Sequence, residues 1–253
     1  MTSWQRLIGL LAMSLLGACA SVPDTAYRQV DGDEVVVLVH GFSKHAQSME
    51  PIGDYLAQYG YRFISVDYPS GEVNASEALA LIHTQLAGCC DQARRIHFVG
   101  HSIGGLLIRA YLAEYQVDQL GNVVLIATPN AGSEFVEAMN RMPGYAEATG
   151  PLLQQMVPGE QGIPAQLPLP DYPVGVIAGS RTHNPLSWLL LPGDDDGAVS
   201  VSSTRMEGMQ DFLVVPANHH WLRHDQRVLE EVLHFIQYDH FKAGEYSQGV
   251  VGL

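Results

Sequence analysis

From Glu34 to Phe42 the chain reads Glu-Val-Val-Val-Leu-Val-His-Gly-Phe, β-branched and apolar with no alternation. That pattern predicts a parallel strand buried on both faces. A helical period follows over 48–59, with Met49, Ile52, Leu56 and Tyr59 on one face and Gly60 as the stop. Phe63–Val66 predicts a second strand. A helix begins after a cap at Asn74 or Ser76, runs through Leu86 and ends at Gly88. Arg95–Val99 is a third strand, followed by a helix to about Tyr115 that carries Leu106, Leu107, Ala110, Tyr111 and Leu112. Asn122–Ala127, Val174–Gly179 and Asp211–Pro216 predict strands four to six. Asp225–Tyr238 predicts a last helix with Val228, Leu229, Val232, Leu233 and Ile236 on its apolar face. Strand alternating with helix implies an α/β domain, with a mostly parallel sheet of about six strands and helices on both faces.

The alternation breaks between Ala131 and Asp171, a piece rich in Pro, Gly and Met with helical stretches near 135–142 and 152–156. A long insertion between two strands, with apolar residues of its own, is expected to fold over one end of the sheet and to serve function. No internal repeat and no second domain boundary is visible. One domain is expected over 34–242, with a tail at 243–253.

The chain has 253 residues, 47% hydrophobic and 16% charged, enough for one sizeable globular core. Its net charge of -14 argues against nucleic acid as a partner, because phosphates require a basic surface. Residues 1–18 have the form of an export signal: Arg6, then an apolar run from Leu7 to Leu16 too short to span a bilayer. Leu16-Gly17-Ala18-Cys19 resembles a bacterial lipobox, in which the cysteine is lipidated and becomes the mature N-terminus. This implies a membrane anchor at Cys19, a polar tether to residue 33, and a place in the cell envelope, at the outer membrane facing the periplasm. The alternative is an ordinary secretory signal and a secreted protein. Cys89 and Cys90 are adjacent, and are expected as a vicinal disulfide or as two free thiols.

Chemistry enters at Gly100-His101-Ser102-Ile103-Gly104-Gly105, a G-x-S-x-G between a predicted strand and a predicted helix. Such a turn is a nucleophile elbow, which points its serine oxygen into open space. Sites in wound parallel sheets form at the carboxyl ends of the strands. His40-Gly41-Phe42, Asp194-Asp195-Asp196-Gly197 and His219-His220 also follow strands. The order Ser, Asp, His is that of one class of hydrolases.

Over residues 34–240 the chain resembles an α/β-hydrolase of the lipase/esterase type. The resemblance rests on Leu38–Phe42, Gly100–Gly105, Thr128–Ser133, Asp196–Ser200 and Asn218–Leu222. It lacks the antiparallel strands that open larger members, which implies a compact version of the fold. The resemblance implies Ser102 as nucleophile, Asp196 as the acid of an Asp-Gly-x-Val pattern, and His219 as the base of a His-x-x-Leu pattern. Asp194, Asp195 and His220 stand as alternatives. A serine needs a base to accept its proton, and the base needs a carboxylate to fix its tautomer. The backbone N–H groups of Phe42 and Ile103 are expected to bind the oxyanion. His40 and His101 are expected as packing or polar supports.

The activity implied is cleavage of carboxylic esters, with a lipid or other small ester as substrate. Acyl transfer, thioester cleavage and non-catalytic lipid binding are alternatives. No cofactor and no metal is implied: there is no H-E-x-x-H, and the acidic turn lacks calcium-loop spacing. Leu186–Pro192 is an apolar run expected either to line an acyl pocket or touch a membrane, or to bury itself against the core.

Overall fold

A computed structural model describes residues 27–242. The expected export signal, Cys19 and the tail at 243–253 lie outside the described residues. Six strands form one sheet: β1 (Glu34–Val39), β2 (Arg62–Val66), β3 (Arg95–His101), β4 (Leu120–Ile126), β5 (Val174–Gly179) and β6 (Asp211–Val215). All pairings are parallel, in the order β2-β1-β3-β4-β5-β6. The order reverses between β1 and β3, so the loops leaving their carboxyl ends diverge and open a crevice.

β1 shows why its pattern does not alternate. Val35, Val37 and Val39 join the core on one face of the sheet, and Val36 and Leu38 join the core on the other. The first face is covered by α2 (Ala75–Leu86) and α3 (Ile103–Glu114), the second by α1 (Glu50–Ala57) and α9 (Gln226–Tyr238). A short 3-10 turn at Ala46–Met49 leads into α1. Of the two caps weighed for α2, Asn74 is used. Its side chain accepts from the Glu77 N–H while Glu77 accepts from the Asn74 N–H, a reciprocal capping box.

The insertion folds as α4 (Glu134–Met139), α5 (Tyr145–Gln154, interrupted at Gly150) and α6 (Ile163–Gln166). Ser133 N–H donates to Met156 O at 2.7 Å within it, and it is tied to the domain by Ala131 N–H donating to Ser203 O at 2.9 Å and by Ala75 N–H donating to Gln155 Oε1 at 2.8 Å. Two further helices precede β6: α7 (Pro185–Leu190) and α8 (Val201–Thr204).

One expectation is corrected. Residues 27–33 are not tether: Tyr27 and Val30 are buried, Val30 N–H donates to Tyr59 O at 2.9 Å, and Tyr27 packs edge-on against Tyr59. An apolar pair three residues apart is enough to pin this stretch to α1 and α9. Of the two outcomes open for the run at 186–192, burial against the core is not found for Leu186, Trp188 and Leu189: the run forms α7, which leaves these side chains exposed. Cys89 and Cys90, between α2 and β3, are joined by a disulfide.

Candidate active site

Ser102 sits between the end of β3 and the start of α3 with φ 57° and ψ -129°. A residue with a Cβ enters that region at a cost of about 1–3 kcal/mol, so the turn must be held from outside. Ser102 N–H donates to Ile126 O at 2.8 Å, fixing the turn to β4. The flanking glycines let the helix and strand close on it. A Cβ on Gly100 would lie 2.6 Å from the backbone of Gly105, and one on Gly104 would run into the Val39 carbonyl of β1.

Three side chains from three loops meet at this turn. His219 Nε2 lies 3.1 Å from Ser102 Oγ, and His219 Nδ1 lies 2.8 Å from Asp196 Oδ2. The carboxylate can only accept, so Nδ1 carries the proton and Nε2 is left as an acceptor for the Ser102 hydroxyl. Asp196 is buried, and its other oxygen accepts from Ala198 N–H at 3.0 Å and Val199 N–H at 2.8 Å. These two donors fix the carboxylate plane. His219 N–H also donates to Asp196 O at 2.9 Å, which locks the loop after β6 to the loop after α7.

The alternatives fall elsewhere. Asp195 is buried but turns back on Gly197 N–H at 2.7 Å, and Asp194 is exposed. His220 lines the cavity, with its ring centre 5.8 Å from that of His219.

His101 and His40 support the site without facing solvent. His101 Nε2 donates to His219 O at 2.9 Å. Burial first, then the neighbouring His219 and Arg223 charges, hold its imidazole well below the ordinary value, so it stays neutral. His40 is buried and stacked on Tyr68. Its Nε2 accepts from Tyr68 N–H at 3.3 Å, which puts the proton on Nδ1, donated to Gly41 O at 2.8 Å. This braces the loop that carries Phe42.

The expected oxyanion donors are both available. Phe42 and Ile103 line the cavity beside Ser102, and neither backbone N–H has a hydrogen-bond partner among the described residues. Ile103 opens α3, so its N–H has no partner within the helix, and it shares the positive end of the helix dipole.

The cavity beside Ser102 has a volume of about 780 Å³ including its open mouth. The insertion supplies its apolar wall through Phe135, Val136, Leu153 and Met156. Leu186, Trp188 and Leu189 of α7 do not line it. Sequence patterning missed Lys44, which does. Its only signal was its rarity: it is one of two lysines in the chain. Such an arrangement can pass a proton from a hydroxyl to an imidazole and stabilise an oxyanion beside an apolar chain.

Residues 35–161 match the family model described as palmitoyl protein thioesterase. Solved structures of similar fold include a metagenomic carboxyl esterase (20% identity, TM-score 0.58, 76% of this chain and 66% of that one). A Bacillus licheniformis lipase in its mature form is similar at 18% identity and TM-score 0.58, over 78% of this chain and 87% of that one. Phospholipase PlaB of Legionella pneumophila is similar at 16% identity and TM-score 0.59, over 74% and 53%. The chain therefore spans about two thirds of the esterase and about half of the phospholipase. At these identities the likeness establishes the α/β-hydrolase fold.

Proposed function

The chain belongs to the palmitoyl protein thioesterase family, and from that premise we propose that it is a serine hydrolase of acyl esters that works through an acyl-serine intermediate. The observation that carries this reading is the unbroken line from Asp196 through His219 to Ser102 at the mouth of an apolar cavity. His219 accepts the Ser102 proton as the oxygen attacks the acyl carbon. Asp196 steadies the imidazolium, and the N–H groups of Phe42 and Ile103 receive the oxyanion. The proton then passes to the leaving group, and water repeats the sequence to release the acid.

The wall formed by Phe135, Val136, Leu153 and Met156 favours an apolar acyl chain. Each buried methylene contributes about 0.8 kcal/mol, about fourfold in kcat/KM, until the cavity is full. Rates on p-nitrophenyl esters are therefore expected to rise steeply from acetate through the medium chains and then level off. A flat or falling series would remove the acyl role of this wall. Thioester cleavage is the second reading, favoured by the family match, and a pair of oxygen and sulfur esters with the same acyl chain separates the two.

A further inference from the structure

In an acidic chain, the cavity beside Ser102 is lined by one permanent charge among the described residues, the ammonium of Lys44. The sequence carries 27 acidic and 13 basic residues, yet no carboxylate among the described residues lines this cavity. Lys44 lines it together with the imidazoles of His101, His219 and His220. Lys44 is half-buried, and among the described residues its ammonium has no hydrogen bond or ion pair with the protein. A partly desolvated ammonium with no counter-charge is uncompensated until an anion enters.

The loop that carries Lys44 is held firmly. Ser43, just before it, has φ 53°, in the left-handed region, and its N–H donates to Ser70 Oγ at 2.9 Å. Ala46 N–H donates to Asp67 Oδ1 at 3.0 Å, and Arg223 Nη1 donates to Ser48 O at 2.6 Å. Arg223 is itself buried and brings a second positive charge to the same side. Burial, then His219, Lys44 and Arg223, push the His220 imidazole below its ordinary value, so both cations act on the space that His220 occupies. This side lies close to the reacting centre. A Cβ on Gly41 would be 3.1 Å from Ser102 Cβ, and Lys44 is three residues further on, at most about 10 Å of chain.

We infer that Lys44, with Arg223 and His220 behind it, forms an anion subsite that binds the phosphate of the alcohol half of an acyl ester, as in an acylated glycerol phosphate. The inference rests on the serine hydrolase reading. The acyl chain takes the apolar wall of the insertion, which leaves the Lys44 side to the alcohol. The acyl carbon passes to Ser102 Oγ, and the glycerol-phosphate oxygen leaves with the proton held by His219. Water then releases the fatty acid and restores Ser102.

The test uses a matched pair, 1-decanoylglycerol and its 3-phosphate, with the full chain at low ionic strength and submicellar lipid. The parent chain is expected to favour the phosphate by about tenfold in kcat/KM. Lys44→Met should cut the ratio of the two substrates by about the same factor, Lys44→Arg should keep it, and raising salt to about 0.5 M should erode it. The same ratio is read as binding to Ser102→Ala by calorimetry, with and without Lys44→Met. Preferential binding of the phosphate there, with neither lipid cleaved by the parent, would sink the hydrolase reading and leave the subsite standing. Equal handling of both lipids by the parent, or a ratio unmoved by Lys44→Met, would overturn the subsite. A preference confined to decanoyl-pantetheine 4′-phosphate over decanoyl-pantetheine would overturn glycerol phosphate as the group bound.

Discussion

Replacing Ser102 with alanine is expected to lower kcat/KM on a neutral medium-chain ester by about 10⁴-fold or more, with a melting temperature close to that of the parent. The hydroxyl makes one side-chain bond, to His219 Nε2 at 3.1 Å, and lies at the cavity rather than in the core. Alanine keeps the Cβ, so the strained backbone at φ 57° is neither relieved nor worsened. The loss therefore reports chemistry and not unfolding. Some rate above that in water should survive, because the N–H groups of Phe42 and Ile103 and the apolar wall are untouched. A loss of less than about tenfold in kcat would mean that the attacking atom is elsewhere.

Asp196→Asn should be nearly as damaging, with a loss of about 10³–10⁴-fold in kcat and little change in KM or stability. The asparagine oxygen can still accept from the N–H groups of Ala198 and Val199, so the turn survives. Its amide nitrogen then faces His219 Nδ1 and donates to it. The ring is forced into the other tautomer, its proton moves to Nε2, and Nε2 can no longer accept from Ser102. Asp196→Ala would instead strip two buried N–H groups of their acceptor and lower stability as well. Comparison of the two variants by kinetics and thermal melting separates tautomer from fold. If Asp196→Asn kept full kcat, the carboxylate would have no part in the proton path.

What could be read from the sequence follows from how completely each element is buried. β5 lies within the sheet, and its bounds, Val174–Gly179, match the apolar run residue for residue. β1 was legible for the same reason, with both faces packed. α7 was not, because the exposed Leu186, Trp188 and Leu189 break the rule that apolar residues on a short helix face the core. Its signal was instead local: Asn184 caps it and Pro185 takes the first turn. Residues 27–33 read as polar tether because two buried side chains, Tyr27 and Val30, make too short a pattern to register.

The site divides along similar lines. The G-x-S-x-G at 100–104 is visible because its glycines are demanded by close backbone approach. Among Asp194, Asp195 and Asp196 the resemblance to an Asp-Gly-x-Val pattern selects Asp196, whereas the turn separates them by side-chain direction, which composition alone does not encode. There Asp195 bends to Gly197 and Asp196 reaches His219. Lys44 escaped notice because a single charge has no period and no motif; only the three-dimensional cavity gives it a meaning.

The central claim is that Ser102 is made nucleophilic by His219. The most direct measurement is peptide mapping by mass spectrometry after reaction with a fluorophosphonate, which captures an activated serine. One adduct is expected, on the peptide that carries Ser102, lost in Ser102→Ala and strongly slowed in His219→Ala. An adduct on another residue, or labelling that persists at full rate in Ser102→Ala, would contradict it.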